Sequence, residues 1–146
     1  MKLILRKSLS NARNLELKYW PSKQTYQKRT KQVLLSNKQL TNLDILVNNA
    51  GIFRAVEISA PELLSVYDEV INTNLRPVIQ LTNLAVPYLL ETKGNIINIS
   101  SGASKTLLQS STFTIYGLSK AALDHFSKGT ALELGPKGVL LDCATR

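Results

Sequence analysis

Glycine is missing from the first 50 residues of this 146-residue chain, and Gly51 is the first to occur. A loop that binds the phosphates of a dinucleotide needs glycines for its tight turn and for close approach of the backbone to the pyrophosphate. The sequence therefore excludes a glycine-rich phosphate loop ahead of Gly51.

Cysteine and histidine occur once each, as Cys143 and His125. A single cysteine excludes an internal disulfide and fits a reducing compartment, so we expect a cytoplasmic protein with Cys143 as a small buried side chain. Neither a metal cluster nor a nucleophile triad can be built around one histidine. We therefore expect no metal, and we place His125 on the surface of a helix.

Long apolar runs are absent as well, since no stretch approaches the roughly 18–20 residues that a membrane helix needs. The length suits one domain with a sizeable core, and a hydrophobic fraction of 44% suits a soluble globular protein. No membrane span is expected.

Acidic residues are scarce only at the start of the chain. Residues 1–31 hold nine basic residues and one acid, Glu16, whereas the remainder holds nine of each sign. The formal net charge of +8 therefore belongs to a tail and not to the globular part. This distribution argues against a basic binding face on the fold, and no nucleic-acid partner is expected.

Residues 1–35 are predicted to be a basic segment, disordered or helical, ahead of a domain at 36–146. On a helical wheel, basic side chains near the start fall opposite apolar ones. A basic, amphipathic, acid-poor start is typical of a mitochondrial transit segment, which makes the mitochondrial matrix the alternative location. The competing interpretations are a solvated disordered arm, a peripheral membrane helix, and a sequence joined to the domain by chance.

From Leu43 onward the hydrophobic pattern alternates between short β-rich runs and helical stretches. This order predicts an α/β fold with a parallel sheet covered on both faces. Before it, residues 31–43 are predicted to be a short helix. The predicted strands are 44–47, 95–101 and 139–141, and the predicted helices are 58–72 (with Ser59 as a cap), 75–91 and 116–134.

Tyr116 and Lys120 stand four residues apart at the start of the last predicted helix. Residues at this spacing lie on one helical face, with Cβ atoms about 5–6 Å apart. A neighbouring cation stabilises a phenolate, so the pair is a candidate proton donor and acceptor. The same spacing is also common among ordinary surface pairs.

Five segments of the chain carry a recognisable pattern. They are LDILVNNAG (43–51), INTNL (71–75), GNIINISS (94–101), YGLSK (116–120) and AALDHFSKGTALELGPKGV (121–139). In order and nearly in spacing they resemble the short-chain dehydrogenases/reductases, and the Tyr116 helix is similar to that of the 3-oxoacyl reductase-like members.

This resemblance implies a catalytic set of Asn74, Ser101, Tyr116 and Lys120. Tyr116 is then the general acid in carbonyl reduction and the base in alcohol oxidation, and Lys120 assists it and holds the ribose of an NAD(P) cofactor. Ser101 binds the substrate oxygen, with Ser100 and Ser104 as rivals because the loop before Tyr116 is two residues longer than usual. Asn74 belongs to a proton relay, and Asn72 is the residue most easily confused with it.

The resemblance also implies that Asn49, Ala50 and Gly51 contact the cofactor, together with Tyr116 and Lys120. An asparagine at a strand end also hydrogen-bonds neighbouring backbone, so a purely structural role for this turn is nearly as well supported. Preference between NAD and NADP cannot be read from these residues. The implied partners are a small carbonyl or alcohol substrate and a second copy of the chain, paired through the helices at 75–91 and 116–134.

The family's glycine-rich first βα unit and its last strand have no counterpart in the sequence. The implied fold is thus a partial doubly wound, Rossmann-like parallel sheet, truncated at both ends. An apolar strand at 45–47 then needs a neighbour, because an exposed edge promotes aggregation. We expect residues 2–5 or 32–35 to pair with it.

Two functions follow from these observations. The first is an NAD(P)-dependent oxidoreductase that interconverts a carbonyl and a secondary alcohol, with Tyr116 as general acid/base. The alternative is a catalytically inactive fragment of such an enzyme, at most a module that associates through its helices.

Overall fold

The computed structural model describes residues 2–6, 15–18, 43–106 and 110–145. In these ranges the chain forms an α/β fold with three helices longer than one turn and five strands. In chain order they are β1 (Lys2–Arg6), β2 (Leu15–Lys18), β3 (Ile45–Asn48), α1 (Leu63–Asn74), α2 (Arg76–Thr92), β4 (Asn95–Ser100), α3 (Thr114–Leu134) and β5 (Leu140–Thr145).

The five strands make one sheet in the order β2-β1-β3-β4-β5. β3, β4 and β5 are parallel and are joined by helical crossovers, which confirms the predicted Rossmann-like parallel unit. β1 runs antiparallel to both β2 and β3.

β1 occupies the position beside β3 for which the sequence predicted a replacement neighbour. Leu3 pairs with Asn48 and Arg6 pairs with Ile45, so the edge of β3 is covered by the first of the two proposed segments. Where residues 1–35 were interpreted as helical or disordered, these two stretches form strands, because β3 offers a row of unpaired backbone groups to pair with. Three other predictions lie outside the described residues. They are the alternative pairing segment 32–35, the domain boundary at 35, and residues 31–42 of the short helix predicted at 31–43.

In the described ranges, α2 and α3 pack on one face of the parallel strands. The predicted cover on both faces also depends on residues outside those ranges. Leu46 and Ile96 are buried on this face against Leu81 and Leu89 of α2. Asn98, on the same face, contacts Ser127 of α3. The opposite face of the parallel strands, which carries Ile97, is half-buried.

Element boundaries differ from the prediction mainly at α1 and β5. α1 begins at Leu63 instead of residue 58, and Ser59 is not its cap. β5 extends to Thr145 and lies at the edge of the sheet, so Cys143 is exposed. The expectation of a buried Cys143 was wrong for that reason. His125 is exposed on α3, as predicted.

α1 and α2 are separated by one residue, Leu75. Pro77 lies in the first turn of α2, and it has no N–H to continue the helical ladder from α1. The break leaves Asn74 as the last residue of α1, where its side chain is directed to a neighbouring loop.

None of the helices in the described ranges has the combined length and apolar character that crossing a membrane requires.

Candidate active site

The sequence-predicted residues lie where β3 and β4 end and α3 begins. The carboxyl ends of parallel strands meet at one edge of a sheet, which is where open α/β folds bind ligands. Asn49 to Gly51 follow β3, Ser101 follows β4, and Tyr116 lies in the first turn of α3.

Lys120 is buried beneath Tyr116. Its side chain is only 5% exposed, and its Nζ donates a hydrogen bond of 2.9 Å to the carbonyl oxygen of Ile99. The same Nζ lies 5.9 Å from the centroid of the half-buried Tyr116 ring, so the cation is close to the phenol. The i, i+4 spacing thus places the two groups together on the inner face of α3.

Burial is the main influence on Lys120. It lowers the pKa of the ammonium below its ordinary value, because a charged group loses hydration in the interior. The thiolate form of Cys143 and the carboxylate of Asp124 act in the opposite direction, because a nearby negative charge favours the ammonium. Lys120 therefore releases its proton at a lower pH than a lysine on the surface does.

Asn74 is fully buried and makes three hydrogen bonds. Its Oδ1 accepts from the N–H of Ile52 at 2.7 Å, and its Nδ2 donates to the carbonyl of Ile52 at 2.9 Å and to the hydroxyl of Ser119 at 3.1 Å. Asn72 is exposed, which favours Asn74 of the two candidates. The amide of Asn74 therefore joins α1 to the loop after β3 and to α3.

Gly51 lies between Asn74 and Lys120. A Cβ built on Gly51 would lie 3.5 Å from Asn74 Oδ1 and 3.5 Å from Lys120 Nζ, which is ordinary contact distance. The structure therefore brings Gly51, Asn74, Tyr116 and Lys120 into one cluster.

Ser101 lies at the end of β4 and is half-buried. Its Oγ accepts a hydrogen bond of 3.3 Å from the N–H of Ala103 and caps a short 3-10 turn. Gly117 lets this turn approach α3, since a Cβ there would lie 2.9 Å from the carbonyl oxygen of Ala103. Because Gly117 has no side chain, the turn that Ser101 caps can pack directly against α3 beside Tyr116.

The rivals Ser100 and Ser104 have different surroundings. Both hydroxyls are buried, and neither has a hydrogen-bond partner among the described residues. Their side chains lie near Asp124, and they lower the pKa of its carboxyl against the raising effect of burial, as do Cys143 and the charge of Lys105. Ser100 points to the side of β4 that faces α3, opposite to Ser101.

In the turn after β3, Asn49 and Gly51 are exposed and Ala50 is buried. The asparagine that links neighbouring strands is Asn48, whose Nδ2 donates to Asn98 Oδ1 at 2.8 Å. Asn98 in turn donates to Ser127 at 2.8 Å. Asn48 was missed in the sequence, although its parallel register with Asn98 places both on the helix-covered face of the sheet.

The residues present fit one end of a nicotinamide dinucleotide better than the other. The hydroxyl of Tyr116 and the ammonium of Lys120 are groups that can hydrogen-bond ribose hydroxyls, and the exposed Gly51 leaves room beside them. The pyrophosphate end has no glycine-rich turn, because the chain has no glycine before Gly51. β1 also runs antiparallel to β3, so its carboxyl end lies at the opposite edge of the sheet.

The chain is similar to known proteins of one family. The family model described as short chain dehydrogenase matches residues 5–145. A very-long-chain 3-oxoacyl-CoA reductase of Anas platyrhynchos is 38% identical over 103 residues, which cover 68% of this chain and 32% of the relative. The dehydrogenase OXI1 of Cochliobolus heterostrophus is 44% identical over 97 residues, covering 66% of this chain and 40% of the relative.

Among solved structures, a short chain dehydrogenase of Burkholderia cenocepacia in complex with NADP superimposes with a TM-score of 0.68 at 32% identity. The match covers 82% of this chain and 46% of that chain. The chain thus spans less than half the length of these relatives. On the family match, the order of its motifs and the parallel fold, it belongs to the short-chain dehydrogenase family.

Proposed function

We propose that this chain carries the proton-transfer site of an NAD(P)-dependent oxidoreductase that interconverts a carbonyl and a secondary alcohol. The observation that carries the proposal is the convergence of Tyr116, the buried Lys120 and the buried Asn74 at the carboxyl edge of the parallel strands.

Tyr116 acts as general acid when the carbonyl is reduced and as general base when the alcohol is oxidised. The carbonyl oxygen gains negative charge as the reaction proceeds, and the Tyr116 hydroxyl neutralises it by giving up its proton. The Lys120 cation, 5.9 Å from the ring, favours the phenolate that remains. Ser101 donates a second hydrogen bond to the same oxygen.

Asn74 holds the geometry by tying α3 to the loop after β3. Its hydrogen bonds to Ile52 and Ser119 fix the wall of the site opposite Lys120. When bound, a nicotinamide cofactor supplies or accepts the hydride, and Tyr116 and Lys120 would hold its ribose.

Replacing Tyr116 by phenylalanine tests the role of the hydroxyl. Tyr116→Phe is expected to lower the rate of NADPH or NADH oxidation with a ketone or a 3-oxoacyl thioester by about 100-fold or more, because proton transfer by a positioned group contributes about 10²–10⁴-fold. The thioester is chosen because relatives are named 3-oxoacyl-CoA reductases. Steady-state absorbance of the reduced cofactor measures the rate.

Tyr67→Phe is the matched control, since it removes the hydroxyl of a tyrosine that is 38% exposed on α1. It is expected to leave the rate unchanged. Equal rates for wild type and Tyr116→Phe would contradict the proposed proton transfer.

An inactive association module is the second candidate. The missing glycine-rich turn favours it, as do the exposed apolar side chains Ile79 on α2 and Leu118 and Leu132 on α3. Thermal unfolding with and without millimolar NADPH or NADH separates the two. A cofactor-dependent rise in the melting temperature supports the enzyme, whereas no shift together with a stable dimer in light scattering supports the module.

A further inference from the structure

Two phenylalanines form an aromatic surface beside Tyr116. The ring centroids of Phe53 and Phe113 are 4.5 Å apart with the planes tilted by 39°. Phe53 also meets the Tyr116 ring edge-on, at 5.1 Å between centroids and 71° between planes. Both are favourable aromatic geometries, so the three rings form one connected unit that ends at the candidate proton donor.

Phe53 leaves much of its surface open although it is a large apolar side chain. It is 47% exposed, whereas Phe113 is half-buried. Apolar surface left open beside a reacting group is the usual composition of a small-molecule site, where a few polar groups fix orientation and apolar walls supply affinity.

The position of Phe53 is fixed by its neighbour. Arg54 binds Glu69 of α1 through two parallel hydrogen bonds, Nε to Oε2 at 3.1 Å and Nη2 to Oε1 at 2.9 Å. Its remaining Nη1 donates to the carbonyl oxygen of Phe53 at 3.0 Å. A bidentate pair is geometrically specific, so this arginine anchors the Phe53 backbone to α1.

Phe113 is fixed from the other side. It ends a 3-10 turn, Ser111–Phe113, that leads directly into α3 three residues before Tyr116. The N–H of Val56 donates to the carbonyl of Thr112 at 2.9 Å, which joins this turn to the Phe53 loop. A backbone hydrogen bond between the two loops therefore supports the positions of the two rings, in addition to the contact between the rings themselves.

We propose that Phe53 and Phe113 form the subsite that binds the substituent of the carbonyl substrate, and that this subsite prefers a flat aromatic ring to a saturated group of the same size. The inference rests on the proposed function for the role of Tyr116. The preference follows from the exposed part of the Phe53 ring, against which an aromatic substituent can pack, and from the hydrogen bonds that hold both loops.

Binding of two ketones of matched size tests this preference without turnover. Acetophenone carries a phenyl ring, and cyclohexyl methyl ketone carries a saturated ring at the same position. Titrations of the full chain, followed by calorimetry or by ligand-observed NMR in the presence of millimolar NADP, are expected to give a Kd about five- to tenfold lower for acetophenone.

Two substitutions of Phe53 separate a binding role from a folding role. Phe53→Ala and Phe53→Leu are both expected to weaken acetophenone binding about five- to tenfold and to remove most of the preference over cyclohexyl methyl ketone. Leu132→Ala is the matched control, because Leu132 is 81% exposed near the far end of α3. Thermal unfolding of each variant shows that the protein remains folded.

Failure of the subsite proposal and failure of the proposed function give different results. Tyr116→Phe keeps the ring and is expected to retain acetophenone binding while losing turnover, so loss of activity alone leaves the subsite standing. Equal affinity for the two ketones, no measurable acetophenone binding, or unchanged binding in folded Phe53→Leu would overturn the subsite, whatever the activity.

Discussion

Lys120 is a cation in a buried position, where loss of hydration makes a charge unfavourable. Within the described part of the chain its Nζ makes one hydrogen bond, to the carbonyl of Ile99, and the residue is only 5% exposed. Removing a charge from water costs several kcal/mol unless partners compensate. A protein that keeps a lysine there gives up stability in exchange for a positive charge close to the Tyr116 ring, and that stability changes with pH.

The sign of the pH effect follows from the lowered pKa of Lys120. The unfolded chain holds the Lys120 proton up to about pH 10.4, whereas the folded protein releases it earlier. The burial penalty is therefore full below the lowered pKa and disappears as the pH rises towards about 10.4. The free energy of unfolding is expected to rise with pH in that window.

Lys120→Met removes this contribution and keeps the length of the side chain. The stability of wild type relative to Lys120→Met is expected to rise between neutral and alkaline pH, by at most about 1.4 kcal/mol per pH unit. Urea unfolding at several pH values measures the free energy of unfolding of both proteins. Titration of Asp124 and Cys143 cancels in the difference where it is the same in both. A constant difference across the range would contradict the buried-cation argument.

At this scale the sequence predicted which polar residues meet, but not how all of them are used. The Tyr116–Lys120 contact follows from helical spacing, and the burial of Asn74 follows its place at the end of α1. The exposure of Cys143 could not be predicted, because it depends on β5 lying at the edge of the sheet. Neither could the Phe53–Phe113 contact, since it joins two loops sixty residues apart.

The connection between α2 and β4 shows how one residue sets the distance between elements. Lys93 ends α2 in the left-handed region at φ 52°, and Gly94 follows. Gly94 donates to the carbonyl of Leu89 and accepts from the N–H of Leu140, so α2 and β5 both meet at this point. A Cβ on Gly94 would come within 2.6 Å of the carbonyl oxygen of Asp44 and 2.9 Å of that of Leu43.

Gly94→Ala is therefore expected to destabilise the protein by about 1–3 kcal/mol, because backbone must move to admit the methyl group. Gly129→Ala is the matched control within α3, where a Cβ would meet nothing within 4 Å in the part of the chain that the structure describes. It is expected to be neutral or to stabilise the helix by up to about 1 kcal/mol. Chemical denaturation measures both, and equal midpoints for the two variants would contradict the close packing at Gly94.

Element types were predictable from periodicity, and element ends were less so. The strand at 95–100 and the helix ending at Leu134 follow directly from β-branched runs and from the Gly-Pro pair after the helix. The start of α1 was placed too early, because Ser59 and Pro61 are good cap residues that the chain uses in a turn before the helix.

The sheet as a whole combines a parallel unit with an antiparallel addition. β1 lies between β2 and β3, so its backbone groups are paired on both sides. A proline within β1 removes a donor from one of the two ladders at any position. It would also expose the edge of β3, which is an aggregation hazard.

Ile4→Pro is thus expected to lower the free energy of unfolding by at least about 1 kcal/mol and to increase aggregation. Hydrogen exchange followed by mass spectrometry should show loss of protection in residues 2–6 and 45–48. Ile4→Val is the control that keeps the backbone donor and a β-branched side chain. Full protection of 45–48 in Ile4→Pro would show that β1 does not cover β3.

At the scale of the whole molecule, the parallel order of β3, β4 and β5 was predictable because helical crossovers impose it. The direction of β1 was not, since either direction satisfies the backbone of β3 equally well. Which face α2 and α3 cover was also beyond reach, because both faces of a parallel strand have similar apolar sequences.

The strand register places Leu3, Asn48, Asn98 and Cys143 in one row across four neighbouring strands. Three strand spacings of about 4.8 Å separate the ends of that row by about 14 Å. Cys143 is the only thiol in the chain and is exposed, so a spectroscopic label can be attached there. The distance from this label to a second label introduced near Leu3 can then be measured. The row thus gives the chain a built-in attachment point for measuring, in solution, how its first residues join the sheet.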